Sequence, residues 1–133
     1  MANEASIIEL SGMNPIMFTC ADGTNISKGC LLKLTSDPNT VAASAADSDV
    51  YAGVAVADKE ANDGATTIAV HVPGQMNVFD MTACTAGITL GGIVSLSGAN
   101  IVKQATEAEM VTGDIVGKCM ETAGDSEVVR VIS

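Results

Sequence analysis

Two stretches of this chain, Ile26-Ser-Lys-Gly-Cys-Leu-Leu-Lys-Leu34 and Ile88-Thr-Leu-Gly-Gly-Ile-Val-Ser-Leu96, follow one pattern at an offset of 88 − 26 = 62 residues. The shared pattern is an apolar residue, a small hydroxyl residue, any residue, glycine, a small residue, two apolar residues, any residue and leucine. A glycine followed by an apolar run is typical of a turn that leads into a short strand. The repetition predicts two copies of one strand-and-turn unit.

The correspondence extends beyond these two stretches. A short apolar run follows Gly53, and its counterpart follows Gly117 at an offset of 64 residues. The alternating residues 67–72 correspond to residues 128–133 at an offset of 61. A repeated unit of short strands and turns without a cluster of reactive side chains indicates a structural module.

This pattern predicts the domain organisation. Residues 1–15 have no counterpart in the repeat and are assigned to an N-terminal arm. Residues 16–133 are assigned to a single β domain, with pseudo-repeats at about 16–74 and 75–133. At 133 residues, one domain is the expected size.

About ten short strands, separated by turn signals, predict an all-β fold, either a small β-sandwich or a β-barrel-like domain. Glycines at strand ends and breaks permit tight turns and close approach of backbones. Residues 36–49 are expected to form a long loop, with one helical turn at 39–46 as the alternative. Residues 106–112 are expected to form a second helical turn, with Thr106 as N-cap and Glu109 completing a capping box. The predicted turn and strand-break glycines are Gly29, Gly53, Gly91, Gly92 and Gly117.

The composition excludes several partners. The chain carries 16 acidic and 6 basic residues, for a formal charge of −10, and the basic residues are scattered singly. Binding to nucleic acid or to an anionic membrane needs clustered Lys and Arg, so neither partner is expected. The acidity serves either solubility or the recognition of a basic partner. Aromatic residues make up 2% of the chain, which argues against stacking of bases or sugars.

No catalytic, cofactor or metal site is expected. The single histidine, His71, lies opposite the Ile68 and Val70 face of an alternating strand and is predicted to be exposed. No Gly-x-Ser-x-Gly motif accompanies it. Four cysteines lack the C-x-x-C spacing of a zinc site and are predicted to be buried thiols rather than disulfides. We therefore expect a protein that is not an enzyme.

The chain also lacks targeting and membrane signals. Its opening residues have no basic region followed by a long apolar run, as a secretory signal would. No stretch approaches the roughly 20 apolar residues of a membrane span. The first 15 residues instead contain several apolar side chains before a turn at Asn14-Pro15, which fits either an edge strand of this domain or an arm onto a neighbouring molecule.

The order of motifs resembles the head-decoration, or capsid cement, proteins of tailed phages. The resemblance covers roughly residues 16–132, and the chain departs from the family pattern at Cys30 and Gly92, where Asp is common. The motifs that carry it are Ile26-Ser-Lys-Gly-Cys-Leu-Leu-Lys-Leu, Tyr51-Ala-Gly-Val-Ala, Ile68-Ala-Val-His-Val-Pro-Gly-Gln, Ile88-Thr-Leu-Gly-Gly-Ile-Val-Ser-Leu, Asp114-Ile-Val-Gly-Lys-Cys-Met-Glu and Val128-Val-Arg-Val.

This resemblance implies a β-tulip-like domain, usually a homotrimer, on the outer surface of the viral head, made in the host cytoplasm. Its partners would be the major capsid protein and copies of itself, and its role would be to stabilise the shell. The alternative is a freestanding β-rich module that recognises a peptide or glycan. Removal of residues 2–14 is expected to abolish attachment and leave the domain folded. The residues expected to contact the capsid or a neighbour are Ile7, Ile8, Glu9, Leu10, Met13 and Pro15.

Overall fold

Eleven short strands and one helix make up the regular structure of residues 3–133, the part of the chain that a computed structural model describes. The prediction of an all-β fold is confirmed. The elements are β1 Ser6–Glu9, β2 Ile16–Thr19, β3 Leu31–Leu34, β4 Val41–Ala43, β5 Tyr51–Ala55, β6 Thr67–His71, β7 Val78–Ala83, β8 Ile93–Gly98, β9 Ile101–Gln104, α1 Glu107–Thr112, β10 Ile115–Cys119 and β11 Val128–Ile132.

Two five-stranded units have the same strand order. The first unit, β2 to β6, has the order β2-β6-β5-β3-β4, and the second unit, β7 to β11, has the order β7-β11-β10-β8-β9. Parallel pairing of Thr82 with Ile101 joins β7 to β9 and closes the second unit into a barrel. In the first unit, a single parallel bridge joins Thr19 to Thr40. The internal repetition of the sequence therefore corresponds to a repetition of topology.

The strand register defines which residues are equivalent. Ile16 pairs with Val70 in the first unit, and Phe79 pairs with Val131 in the second. Val70 and Val131 both lie in the interior and are separated by 131 − 70 = 61 residues. Phe79 therefore occupies the position of Ile16, at an offset of 79 − 16 = 63. The same offset relates Met17 to Asp80.

Gly53 and Gly117 lie at equivalent places in β5 and β10. A Cβ atom on Gly53 would lie 2.4 Å from the carbonyl oxygen of His71, and one on Gly117 would lie 2.1 Å from that of Ile132. Both distances are far below contact distance, so only glycine lets the neighbouring strand approach this closely. The register of β10 against β8 also shifts between Ile115 and Gly117.

Two hydrophobic clusters fill the molecule. The first is the interior of the first unit and contains Leu32, Ile68 and Val70. The second is the interior of the second unit and also takes in Tyr51 and Val54 from the outer face of β5. Because β5 packs on one cluster with each face, all five of its residues are buried. The second cluster thus extends across both units.

Three of the four cysteines contribute to this packing as predicted. All four are thiols, and Cys20, Cys30 and Cys119 are buried while Cys84 is half-buried. Burial raises the pKa of Cys30 to about 11, so its sulfur stays protonated at neutral pH. These side chains act as small apolar residues of the core.

The loop expected at residues 36–49 contains a strand instead. Val41 in β4 pairs with Leu34, and its side chain is fully buried. The alternative of a helical turn at residues 39–46 is also wrong, because pairing with β3 and burial of Val41 outweigh the helical preference of the alanines. The helical turn expected at residues 106–112 is confirmed as α1. Its capping box is complete, with Thr106 N donating to Glu109 Oε1 at 2.8 Å and Glu109 N donating to Thr106 Oγ1 at 3.3 Å.

Candidate interaction surface

The edge of β7 is covered by β1. The two strands pair antiparallel, with Ser6 opposite Asp80 and Ile7 opposite Phe79. Ile7 is half-buried against the second cluster. Just before β1, Ala5 is buried and its N–H donates to the carbonyl oxygen of Gly29 at 2.7 Å. Residues 5–9 are therefore part of the sheet and core of their own chain.

Residues 10–15 are fixed by buried amide side chains. Ser11 N donates to Asn77 Oδ1 at 2.9 Å, and Gln75 Nε2 donates to the carbonyl oxygen of Asn14 at 2.8 Å. Gln75 and Asn77 are themselves buried, and Asn77 exchanges two backbone hydrogen bonds with Ser133. This arrangement holds the segment against the linker between the two units.

The segment from β1 to β2 nevertheless exposes several apolar side chains. Met13 and Met17 are each 60% exposed and Met76, next to Gln75, is 66% exposed. Exposed apolar side chains concentrated in one segment mark a protein interaction site more often than scattered ones do. We call this set the N-terminal apolar surface: Ile8, Leu10, Met13, Ile16, Met17 and Met76.

The residues expected to contact a partner divide into two groups. One group is Ile7, which faces the core. The other five residues are exposed, and they are Ile8, Glu9, Leu10, Met13 and Pro15. The Glu9 carboxylate lies close enough to Arg130 to help raise the pKa of that guanidinium, for which Asp80 is the largest cause. Contact with a partner stays a prediction for all six.

Sequence reasoning did not assign Ile16, Met17 and Met76 to this surface. Ile16 and Met17 lie in β2, and one side chain of each adjacent pair in a strand is normally buried. A usable signal was the Asn14-Pro15 turn directly before them, because a strand that starts at proline is commonly at a sheet edge.

The five predicted turn and strand-break glycines lie where strands begin or bend. Gly29 precedes β3, and a Cβ atom there would lie 2.2 Å from the carbonyl oxygen of Ala5. Gly91 and Gly92 form the turn before β8, where Gly92 N donates to the carbonyl oxygen of Thr89 at 2.9 Å. Together with Gly53 and Gly117 they shape the body and present no ligand-binding group.

His71 is buried, so the prediction that it is exposed is wrong. The reason is that the outer face of β6 packs towards the second unit, where the His71 ring lies 6.1 Å from that of Phe79. Burial, followed by the charge of Lys28, lowers the pKa of His71. Its Nδ1 atom has no hydrogen-bond partner among residues 3–133. A buried neutral imidazole without a carboxylate partner is not arranged for acid–base catalysis.

An open hollow of about 590 Å³ lies beside the loops that follow β2 and β5. Three of the polar side chains that line it, those of Asn25, Asp58 and Lys59, already bond to the protein. Asp58 accepts from Lys28 N at 2.6 Å, and Asn25 accepts from Ala61 N at 2.6 Å. The buried Lys59 ammonium lies 3.0 Å from the carbonyl oxygen of Asp22 and is surrounded by its own loops. These three side chains are therefore engaged in holding the loops.

Glu109 joins the two units electrostatically. Its Oε2 atom accepts from Ser48 Oγ at 2.8 Å, across the boundary between the units, and lies 3.1 Å from Lys103 Nζ. Burial alone would raise the pKa of this carboxyl, but hydrogen bonds from Thr106, Ser48 and Lys103 outweigh it and lower the pKa to about 2. Glu109 is thus a structural anion.

Within residues 3–133, no three His, Cys, Asp or Glu side chains are grouped to hold a metal ion. The same part of the chain contains no helix that is long and apolar enough to cross a membrane.

Comparison with known proteins identifies a structural neighbour. No protein-family model matches the chain, and no curated protein does. Among solved structures, the head fiber gp8.5 N base of bacteriophage phi29 is similar, with a TM-score of 0.55 and 17% sequence identity. The match covers 88% of this chain and 92% of that one. At this identity the comparison shows that the two chains share a fold.

Proposed function

We propose that this chain is a structural protein of a phage head that binds the outer surface of the assembled capsid and stabilises it by bridging major capsid proteins. The observation that carries the proposal is the fold shared with the head fiber base of phage phi29 over nearly the whole length of both chains. The order of sequence motifs, which resembles capsid decoration proteins, supports the same role independently.

The N-terminal apolar surface supports this role physically. Burial of exposed apolar area drives association at roughly 25 cal/mol per Å². The segment is already held by Gln75 and Asn77, so docking would order few additional residues. A protein that binds only the assembled shell stabilises that shell by mass action. Modest affinity at each of many equivalent positions is then sufficient.

The charge of the chain favours a basic partner surface. With a net charge of −10, a copy of the protein is attracted to positively charged regions of a shell protein. We further propose a homotrimer on the virion, assembled from chains made in the host cytoplasm. Sizing by light scattering tests that part separately.

A glycan-binding module is less well supported. Such modules stack sugars on exposed aromatic faces. Among residues 3–133, Tyr51 and Phe79 are buried and Phe18 is half-buried, and these are the aromatic residues of the chain. No aromatic platform is therefore available to a sugar.

Co-sedimentation with heads assembled without this protein tests the proposal. We expect saturable binding of the natural chain and loss of most binding when Leu10→Ser and Met13→Ser are combined. Leu90→Ser with Met120→Ser is the matched control, because these apolar residues are similarly exposed but belong to the second unit. Each double variant is first checked for an unchanged unfolding temperature.

Two outcomes would contradict the proposal. One is that the natural chain does not sediment with heads, and the other is that both double variants bind equally well.

The test uses substitutions instead of a deletion of residues 2–14. That deletion would remove Ala5 and Ile7 from the core and uncover β7, so the expectation that it leaves the fold intact no longer holds.

A further inference from the structure

The two units differ at one equivalent edge. In the second unit, β1 lies along β7, with Ser6 opposite Asp80 and Ile7 opposite Phe79. The equivalent residues of the first unit, Met17 and Ile16, have no strand beside them on that side among residues 3–133. β2 is therefore an edge strand at the place where its counterpart β7 is covered.

The backbone of Met17 faces this open edge. Cys20 N donates to the carbonyl oxygen of Thr66 on the β6 side at 2.9 Å, whereas Thr19 N donates to that of Asn39 on the opposite side at 2.8 Å. Backbone groups alternate in direction along an antiparallel strand, so Met17 points to the same side as Thr19. Its N–H and C=O are thus available to an added strand.

The side chains at this edge are unusually apolar for an unprotected strand. Ile16 is 48% exposed and Met17 is 60% exposed. Edge strands commonly carry a charged residue that discourages pairing with other chains. The second unit has Asp80 at this position, but the first unit has Met17. The protection at this edge is limited to the preceding Pro15 and the short length of β2.

We propose that the open edge of β2 binds an extended, positively charged segment of another protein as an added antiparallel strand. The second unit supplies the template, because β1, with the sequence Ser-Ile-Ile-Glu, binds the equivalent edge of β7 in this way. Backbone hydrogen bonds to Met17 would give affinity, and an apolar residue in the place of Ile7 would cover Ile16.

Charge distinguishes a foreign segment from a second copy of this chain. Four of the six basic residues, Lys33, Lys59, Lys103 and Arg130, already form ion pairs with carboxylates of their own chain. The strand that another copy would offer in the manner of β1, Ser-Ile-Ile-Glu, carries a carboxylate, whereas a segment with Lys or Arg is attracted to a chain with a net charge of −10. The inference rests on the proposed function for the source of this segment, a head protein.

A synthetic peptide tests the edge without heads. The probe is residues 4–10 of this chain with Glu4→Lys and Glu9→Lys, labelled with a fluorophore, and the unaltered acidic peptide is its control. Binding is measured by fluorescence anisotropy, and amide hydrogen exchange locates the site. We expect saturable binding of the basic peptide, weaker binding of the acidic one, and slowed exchange at the Met17 amide.

Two variants of Met17 separate backbone pairing from side-chain contact. Met17→Pro removes the outward N–H and should weaken peptide binding by about tenfold or more, the equivalent of about 1.4 kcal/mol. Met17→Ser keeps the N–H and should lose less. Both variants should keep the natural unfolding temperature, because neither removes a bond to β6.

Several results would overturn the inference. They are absence of saturable binding at millimolar peptide, unchanged binding by Met17→Pro, slowed exchange at another site, or self-association of the protein through Met17. A protein that binds the peptide but not heads would contradict the proposed function and leave the edge site intact. A protein that binds heads but not the peptide would contradict the edge site and leave the proposed function intact.

Discussion

The first and second units have the same strand order but not the same degree of closure. The second is a closed barrel whose β7 edge is covered by β1, and Phe79 inside it is fully buried. The first is joined at a single bridge, and Ile16, at the position of Phe79, is 48% exposed. The comparison teaches that two units with the same strand order can differ in closure, and the open β2 edge of the first unit is where we propose that a partner binds.

A second difference concerns the loops. Ile26 bridges to Lys59 in the first unit, and Ile88 bridges to Ala123 at the equivalent place in the second. The buried Lys59 Nζ lies 3.3 Å from Asp63 Oδ1. The equivalent residue of the second unit, Ala123, places a buried methyl group there. The first unit thus holds its loops with a buried cation, and the second packs them with an apolar contact.

The largest loss of stability is expected from truncating Phe79, and the equivalent residue Ile16 is the comparison. Phe79→Ala should lower the free energy of unfolding by about 3–5 kcal/mol, because it leaves a cavity in a fully buried site. Ile16→Ala should cost less than about 1 kcal/mol, because the side chain is half in solvent. Urea unfolding of both variants measures the contrast, and equal losses would refute the assigned difference in closure.

A somewhat smaller loss is expected at the close-approach glycine of the second unit. Gly117→Ala should destabilise the protein by about 3 kcal/mol, because its Cβ would lie 2.1 Å from the carbonyl oxygen of Ile132. Gly98→Ala is the control, since nothing lies within 4 Å of its Cβ position. Thermal unfolding compares them. A neutral effect of Gly117→Ala would mean that β10 and β11 approach less closely than described.

The smallest of the three effects concerns the contact between the units at Glu109. Its pKa of about 2 lies below its usual 4.5, so the ionised form stabilises the fold. This stabilisation is complete above pH 4.5 and is lost as the pH falls towards 2. Glu109→Gln should lower stability at pH 7 and flatten this acid dependence. Identical acid profiles for the two proteins would show that Glu109 does not couple the units.

Much of the fold followed from the sequence because repetition and turn chemistry are local signals. The repeat at Ile26 and Ile88, the alternating strand at residues 67–72 and the capping box at Thr106 each depend on near neighbours. β4 was missed because alanine-rich residues have weak strand preference, and its pairing with β3 is a tertiary effect.

The candidate surface could be predicted only in part. Ile8, Leu10, Met13 and Pro15 are apolar residues outside the repeat, which is visible in the sequence. The exposure of Met17 depends on which edge β1 covers, and no local pattern encodes that choice. The burial of His71 likewise depends on the second unit packing over the outer face of β6.

The most direct test of the central claim is electron cryomicroscopy of heads decorated with this protein. The account predicts that each bound copy turns the N-terminal apolar surface towards the shell, with density for an added strand beside Met17. Heads without bound density would contradict the account. So would copies attached through the exposed residues Leu90 and Met120 of the second unit, with the N-terminal apolar surface exposed to solvent.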